Sequence, residues 1–376
     1  MPYPDQDKLQ EKARKYSSLK YGLSIFDTAY LVVLLFLFQG LGISGILARI
    51  ISGLAAKEYQ ALPAYLLAVS LAYYLLDFPL NFYQSFVLEH NFGLSRQNTG
   101  DWFKDQLKAG LIVYIISLVL FGAFYYILRQ YPANWWLIVS LAWIFFNLVM
   151  ARLFPIIIIP LFFKSKPLSD QRLRQRIMDL AGRMKVKILD VFEIDFSKKT
   201  SKANAAFVGW GRTRRVLLAD TLKDKYSHDE VEVILAHEFA HYRLKHLLKL
   251  ILINSLVTMI TFYLIFKSSS FFLSFFGLSS LGDIAAFPLL LLYFVAVGVI
   301  IRPIENYISR RLERNADSLA LKVTGLKEAF ISMMEKLALQ NLADPNPSAI
   351  IKIFFFDHPP VKERIQAALV HTQKIL

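Results

Sequence analysis

Six long apolar segments limit what this chain can fold into more than any other feature of its sequence. A helix needs roughly 20 apolar residues to cross a hydrocarbon core about 30 Å thick. Stretches of that kind occupy residues 23–48, 62–87, 109–128, 135–163, 231–266 and 284–301. Hydrophobic residues make up 55% of the chain, whereas soluble domains reach only about 45–50% even with glycine counted. The sequence therefore predicts a mainly α-helical, multi-pass integral membrane protein with about six spans.

The positive charges predict the orientation of these spans. Six spans place both termini on the same side. The loops on the opposite side contain only four of the 43 lysines and arginines, namely Arg49, Lys57, Arg129 and Lys267. Since cytoplasmic loops are enriched in Lys and Arg, we predict that both termini and the polar regions are cytoplasmic, at the inner membrane if the source is bacterial. The basic residues of these cytoplasmic regions account for the net charge of +14. Because the charge is explained by the orientation of the spans, we expect no nucleic-acid partner.

Polar stretches divide the chain into a membrane region and a cytoplasmic domain. We predict a cytoplasmic N-terminal segment at 1–22, then four spans within 23–163 that are interrupted by a cytoplasmic loop at 88–108. The cytoplasmic domain is built from two parts, 164–230 and 302–376. Between these parts, the segment 231–266 is expected to begin as a polar helix and continue into span five, and 284–301 forms span six.

Local patterns predict the secondary structure of the first polar part. Residues 172–184 have helical spacing, and 188–194, 205–210 and 215–219 have the composition of short strands. A turn is expected at Gly211-Arg212-Thr213. The second polar part is expected to be helical, with interruptions at its proline-containing loops. The cytoplasmic domain should therefore contain a small β-sheet among helices.

The sequence His237-Glu238-Phe239-Ala240-His241 forms an HExxH motif. Residues four apart lie on one face of a helix, so both imidazoles can bind one tetrahedral metal ion. Glu238 is rotated by about 100° and can stand beside the metal as a general base. The chain has no cysteine, which leaves histidines and carboxylates as metal ligands. The alternative is a helix with two solvated histidines, because the bare pattern also occurs by chance.

A catalytic zinc ion needs a third protein ligand, and the segment from Arg310 to Asp317 offers two carboxylates. Glu313 and Asp317 are four residues apart and share a helix face. One can bind the metal while the other accepts a hydrogen bond from a ligand imidazole. From this segment alone, an exposed helix of mixed charge remains the alternative. His246 is off the face of the histidine pair, and we predict that it lies at the surface or the membrane interface.

The chain resembles the type I CaaX prenyl proteases, a family of membrane zinc endopeptidases, from about residue 16 to residue 368. Five segments match family motifs in the right order. They are Glu89–Gln97, similar to EKHGFNQQ; Asn204–Gly211, similar to SNAYFxG; Arg215–Leu222, similar to RIVLFDTL; Glu313–Asp317, similar to ExxAD; and His358–Arg364, similar to HPPxxER. His90-Asn91 stands where the family has Lys-His, and Ala203 and Ala206 replace a frequent Ser and aromatic residue. These last two departures concern the fit of the substrate.

The resemblance implies a role for each matching residue. One zinc ion per chain would be bound by His237, His241 and Glu313, with Glu238 as the catalytic base and Asp317 orienting a ligand. Peptide backbone would bind along an edge strand at Asn204 and Ala205. His358 and Arg364 would lie near the scissile group, with His358 stabilising the oxyanion. Without the resemblance, His358 would be interpreted as a loop histidine and Asn204 as a turn residue.

The resemblance also implies a fold and a function. The spans would enclose an intramembrane chamber closed by a zincin-like catalytic domain. The enzyme would remove C-terminal residues from prenylated or other membrane-associated proteins. The eukaryotic members have a seventh span, so six spans indicate a prokaryotic-type homologue. The alternative is a quality-control protease of the heat-shock membrane metalloprotease type, which shares the HExxH and HPP motifs. A transporter or an inactive scaffold would need neither HExxH nor ExxAD.

Overall fold

The computed structural model describes residues 6–209, 214–223 and 225–371. Within these ranges the chain is mainly helical, as predicted. In chain order, the elements are α1 (Gln6–Gly40), α2 (Ile43–Leu54), α3 (Ala61–Phe82), α4 (Leu88–Asn91), α5 (Thr99–Gln130), α6 (Trp135–Leu153), α7 (Ile159–Phe162), β1 (Ser165–Pro167), α8 (Gln171–Arg183), β2 (Val191–Ile194), β3 (Ala205–Val208), β4 (Arg215–Ala219), α9 (His228–Arg243), α10 (His246–Phe275), α11 (Phe287–Thr324), α12 (Lys327–Gln340), α13 (Ala349–Phe355) and α14 (Val361–His371).

Six helical segments of the described chain are long and apolar enough to cross a membrane, which confirms the predicted number. They are Lys8–Gly40, Ala61–Asn91, Thr99–Gln130, Trp135–Phe162, His246–Phe275 and Ile284–Thr324. Large apolar side chains project from their outer faces, including Leu75, Leu107, Phe145 and Ile300. Such exposure is unfavourable in water and matches a surface that faces lipid.

The first predicted span, 23–48, is wrong at its C-terminal end. Helix α1 ends at Gly40, and Gly42 adopts a left-handed conformation with φ of 70° before α2 begins at Ile43. Glycine tolerates this conformation because it has no Cβ atom. The chain therefore turns after the first span, and the apolar helix α2 has only 12 residues, too few to cross the membrane by itself.

The polar part of the chain contains a sheet of four strands in the order β1-β2-β4-β3. Strand β2 is parallel to β4, whereas β1 and β3 run antiparallel to their neighbours, so β3 forms one edge. The prediction for β4 was correct at both ends, and β2 begins at Val191, three residues later than predicted. The sequence did not reveal β1, because its three residues, Ser-Lys-Pro, have no apolar pattern. The predicted end of β3 at Trp210 and the turn at 211–213 lie outside the described residues.

One hydrophobic core joins both polar regions of the chain. Ile177 and Leu180 from α8, Val233 and Phe239 from α9 and Phe330 from α12 are fully buried in the same cluster. The expected helix over 231–266 is not continuous, because Lys245 adopts a left-handed conformation with φ of 56° between α9 and α10. Helix α11, in contrast, is continuous from its apolar N-terminal half into the domain that contains this core.

The loop after α4 connects the membrane region to the segment that precedes β3. Leu94 O accepts hydrogen bonds from Ser201 N at 2.9 Å and from Thr200 Oγ1 at 2.8 Å. Arg96 N donates to Lys199 O at 3.0 Å. Only residues 92–98 of the predicted loop at 88–108 lie between helices, because α4 ends at Asn91 and α5 begins at Thr99. This shorter loop packs against the segment that precedes the edge strand β3.

Candidate metal centre

The start of α9 fixes the helical register of the HExxH motif. Ser227 and Glu230 form a capping box, in which Ser227 Oγ accepts a hydrogen bond from Glu230 N and Glu230 Oε2 accepts one from Ser227 N. Such a box satisfies two amide groups that have no partner within the helix. The apolar residues around the motif, Leu235, Ala236, Phe239 and Ala240, are completely buried. This burial leaves the two histidines on the face that packs against α11.

Three candidate metal ligands converge between α9 and α11. His237 Nε2 lies 3.1 Å from His241 Nε2 and 3.0 Å from Glu313 Oε2, and His241 Nε2 lies 3.1 Å from Glu313 Oε1. Ligands about 2.0–2.1 Å from a tetrahedral ion are about 3.3–3.4 Å apart. Within the described residues, the buried Glu313 Oε2 has no hydrogen-bond partner. The donor set therefore fits a single metal ion.

Asp317 connects His237 to the partly buried Arg364. His237 Nδ1 lies 2.9 Å from Asp317 Oδ1, and Arg364 binds the same carboxylate with both Nε and Nη2, at 2.8 and 2.6 Å. Contacts of this kind fix the orientation of a ligand imidazole. Arg364 was expected near the scissile group, and the structure places its guanidinium on Asp317. Burial lowers the pKa of His237, but Asp317 and Glu313 outweigh burial and raise it to about 9, so the site stabilises positive charge.

His246 belongs to this cluster, and its predicted place at the surface is wrong. Its side chain is buried, and its Nδ1 atom lies 2.9 Å from His241 Nδ1. On a continuous helix, a residue five positions after His241 would point away from it. The left-handed conformation of Lys245 turns the chain and brings His246 back onto the His241 ring. The sequence contains no local signal for this conformation of a lysine.

Two further side chains that the sequence singled out lie at the same place. Burial raises the pKa of Glu238, while His237 and His241 act in the opposite direction. His358 Nε2 is 3.4 Å from Glu313 Oε2, and His358 Nδ1 is 2.8 Å from Asp357 Oδ1. Burial lowers the pKa of His358, but Asp357 and Glu313 outweigh it, so that the net shift is upward. The site thus combines a partly buried carboxyl group with a histidine disposed to donate hydrogen bonds.

The edge strand β3 runs beside α9. The Phe207 ring centroid lies 5.3 Å from that of Phe239 and 5.7 Å from that of Tyr242. On its inner side β3 pairs with β4, Ala205 lies opposite Leu218, and Asn204 O accepts a hydrogen bond from Ala219 N. The Asn204 side chain is exposed at the start of the strand. Among the described residues, β3 is therefore an edge strand that lies beside the helix containing His237 and His241.

Two family models match consecutive parts of the chain. The model described as CAAX prenyl protease N-terminal, five membrane helices, matches residues 4–164, and that of peptidase family M48 matches residues 167–371. The described helices in the first range include four predicted spans and the short helix α2, five apolar helices in all.

Known proteins are similar over most of the chain. The uncharacterized metalloprotease YhfN of Bacillus subtilis is 30% identical over 360 residues, which is 95% of this chain and 84% of that protein. CAAX prenyl protease 1 of Saccharomyces cerevisiae is 30% identical over 314 residues, 78% of this chain and 68% of that protein. The crystal structure of S. mikatae Ste24p superposes with a TM-score of 0.87 at 26% identity, covering 98% of this chain and 91% of that one.

The fold and the site together define a multi-pass membrane metalloprotease. The chain belongs to peptidase family M48, in the branch that includes the CAAX prenyl protease N-terminal region. The predicted family, the fold class and the enzyme class are thereby confirmed.

The geometry predicts two classes of effect on metal binding. We expect Glu313→Ala to lose most of the bound metal, because it removes one of three converging ligands. Asp317→Ala and His246→Ala should each weaken metal binding by about 10–100-fold, since they remove contacts that orient the ligand imidazoles. Metal content and competition with a chelator measure both effects.

The matched control is Asn315→Ala, which changes an exposed residue of α11 between Glu313 and Asp317. It should bind metal as the wild type does. Full metal content in Glu313→Ala, combined with loss of the metal in Asp317→Ala, would mean that the two carboxylates have exchanged roles.

Proposed function

We propose that this protein is a zinc-dependent endopeptidase that cleaves membrane-associated polypeptides near their C-terminal ends, prenylated proteins among them. The observation that supports this most strongly is the convergence of His237, His241 and Glu313, with Glu238 and an edge strand next to them. Two helices that belong to candidate membrane spans contribute residues to this centre. Helix α11 contains Glu313, and His246, the first residue of α10, contacts His241.

Two imidazoles and one carboxylate around an open position are the donor set of catalytic zinc in many peptidases. When bound, zinc lowers the pKa of water and polarises a carbonyl group. We assign the metal to His237, His241 and Glu313, one ion per chain. Asp317 holds the His237 ring in place through Nδ1, and Arg364 holds Asp317 with two hydrogen bonds.

Proton transfer is assigned to Glu238. The residue follows the first ligand directly, so its carboxylate stands beside the metal position rather than on it. Glu238 accepts a proton from the attacking water and then delivers it to the nitrogen of the leaving amine. His358 donates a hydrogen bond to the oxygen of the former carbonyl group, where negative charge develops. Its Nε2 atom is already directed toward the metal ligands, 3.4 Å from Glu313 Oε2.

The peptide is assigned to the outer edge of β3. An extended segment can add to the sheet there by backbone hydrogen bonds, with Asn204 and Ala205 at the beginning of the strand. Only alternate side chains of an added strand face the protein. We infer that backbone pairing confers little sequence selectivity and that access from the membrane selects the substrate. The name of the yeast relative states the substrate class of that protein, a CAAX prenyl protease, and supports the same class here.

The first test concerns the base. We expect Glu238→Gln to abolish peptide hydrolysis while metal content stays near that of the wild type, because the variant keeps the shape of the side chain and all three ligands. Purified protein in detergent, a fluorogenic peptide and elemental analysis provide the measurement. Glu328→Gln, an exposed acidic residue on α12, is the matched control and should remain fully active. Substantial turnover by Glu238→Gln would remove Glu238 from its assigned role.

The second test concerns selectivity. We expect the wild type to cleave both a prenylated CaaX peptide and some unmodified extended peptides. Asn204→Ala should lower kcat/KM for both classes by similar factors, since Asn204 is placed to contact peptide backbone rather than lipid. Asn346→Ala, at an exposed loop position, is the control. Strict dependence on the prenyl group would contradict broad selectivity and would favour a dedicated CaaX-processing enzyme.

The third test concerns orientation, which we infer to be cytoplasmic for the catalytic domain and both termini because basic residues are concentrated there. The chain has no cysteine, so single cysteines can be labelled without background. A cysteine at the exposed position Asn346 should react with a membrane-impermeant thiol reagent only after the cytoplasmic side is opened. One at Ser279, in the loop between α10 and α11, should react in intact cells. The reverse pattern would overturn the orientation.

A further inference from the structure

Three side chains on one face of α11 bind the end of the short helix α13. Arg302, Asn306 and Arg310 are four residues apart, so they lie one above another along α11. Each donates to main-chain carbonyl groups at the C-terminal end of α13 or just after it. The bonds are Arg302 Nε to Phe354 O at 3.3 Å, Asn306 Nδ2 to Ile353 O at 3.0 Å, and Arg310 Nη1 to Lys352 O at 2.9 Å and to Phe356 O at 2.5 Å.

Arg310 is the unusual member of this row. Its side chain is buried, with 6% of its surface exposed, and among the described residues no carboxylate forms an ion pair with it. A buried charge is costly unless hydrogen bonds compensate it. The compensation comes from two carbonyl groups at the C-terminal end of α13, where main-chain carbonyls bear partial negative charge. Lys352 O accepts from Phe356 N and from Arg310, and Phe356 O accepts from Arg310. Arg310 therefore ties the end of α13 to the middle of α11.

The segment held in this way leads directly to the metal centre. Phe356, whose carbonyl group accepts from Arg310, is two residues before His358. On the other side of His358, Pro359 and Pro360 are buried and restrict the backbone. Glu313, which His358 approaches, is on α11 only three residues after Arg310. One rigid helix thus sets the positions of both a proposed metal ligand and the backbone that bears His358.

A purely structural role for Arg310 is the competing explanation. The same segment is also held by aromatic packing, because Tyr21 of α1 lies 5.2 Å from Phe355 and 6.0 Å from Phe356 between ring centroids. Lys352 additionally pairs with Glu363 of α14. These contacts can keep α13 folded without Arg310. They do not fix the Phe356 carbonyl group, which is the anchor point nearest to His358.

We propose that Arg310 is a positioning residue for peptide hydrolysis, which acts by holding the backbone before His358 so that the imidazole faces the reacting carbonyl group. The inference rests on the role assigned to His358 under the proposed function. Asn306, one helical turn before Arg310 on α11, also holds the end of α13, through a single hydrogen bond to Ile353 O.

The experiment is a double-mutant cycle between Arg310→Met and His358→Ala, with kcat, KM and metal content measured for all four proteins. Loss of one oxyanion donor costs about 100–1,000-fold in kcat, and we expect His358→Ala to lose about 100-fold. Arg310→Met should lose at least about tenfold in kcat, with KM within about twofold and metal content unchanged. In the His358→Ala background, the same change should cost less than about twofold, because residues that act through one group are not additive.

Arg310→Lys keeps the charge and a donor and should recover part of the loss in kcat. Arg311→Met is the matched control, at an exposed arginine next in the chain, and should be as active as the wild type. If Arg310→Met does not purify with metal, Asn306→Leu takes its place in the cycle, with a smaller expected loss. Equal losses in both backgrounds, or wild-type kcat for the single variant, would overturn the proposal. Full activity of His358→Ala would instead contradict the assigned function of His358.

Discussion

The structure depends on the packing of α9 against α11 around a buried polar cluster. Apolar residues of α9 enter the core that they share with α8 and α12, and its two histidines meet Glu313 and Asp317 of α11. Buried carboxylates are unfavourable unless they are paired, so each of these groups constrains the position of the others. A metal ion bound at this proposed site would join elements from both polar regions and from the ends of two spans. Metal binding would then be coupled to the tertiary fold.

The sequence predicted those features that depend on regular periodicity. Spans were recognised from apolar runs, and β4 from its five-residue strand pattern. The pairs His237–His241 and Glu313–Asp317 were placed on common faces because each pair lies within one unbroken helix. The strand at 205–210 was predicted from composition, but its peptide-binding role and the role of His358 could be inferred only through the family resemblance, because a histidine before two prolines has no helical or strand periodicity to place it.

The features that the sequence did not predict depend on single backbone conformations or on tertiary contacts. The left-handed Lys245 separates α9 from α10 and brings His246 to His241, although lysine has no preference for that conformation. The turn at Gly42 divides what looked like one apolar segment. The contacts of Arg310 with α13 and of Arg364 with Asp317 join residues more than 40 positions apart, and no local pattern predicts such pairs.

The hydrogen bonds between the loop after α4 and residues 199–201 have a mechanical consequence. Leu94 and Arg96 follow directly on a membrane-spanning segment, and Lys199, Thr200 and Ser201 lead into the strand assigned to the peptide. A change in the lateral spacing of the membrane helices would reach the proposed peptide-binding edge through these three hydrogen bonds. We therefore expect bilayer thickness and lateral pressure, which act on that spacing, to be physical variables of this protease in addition to the concentration of its substrate.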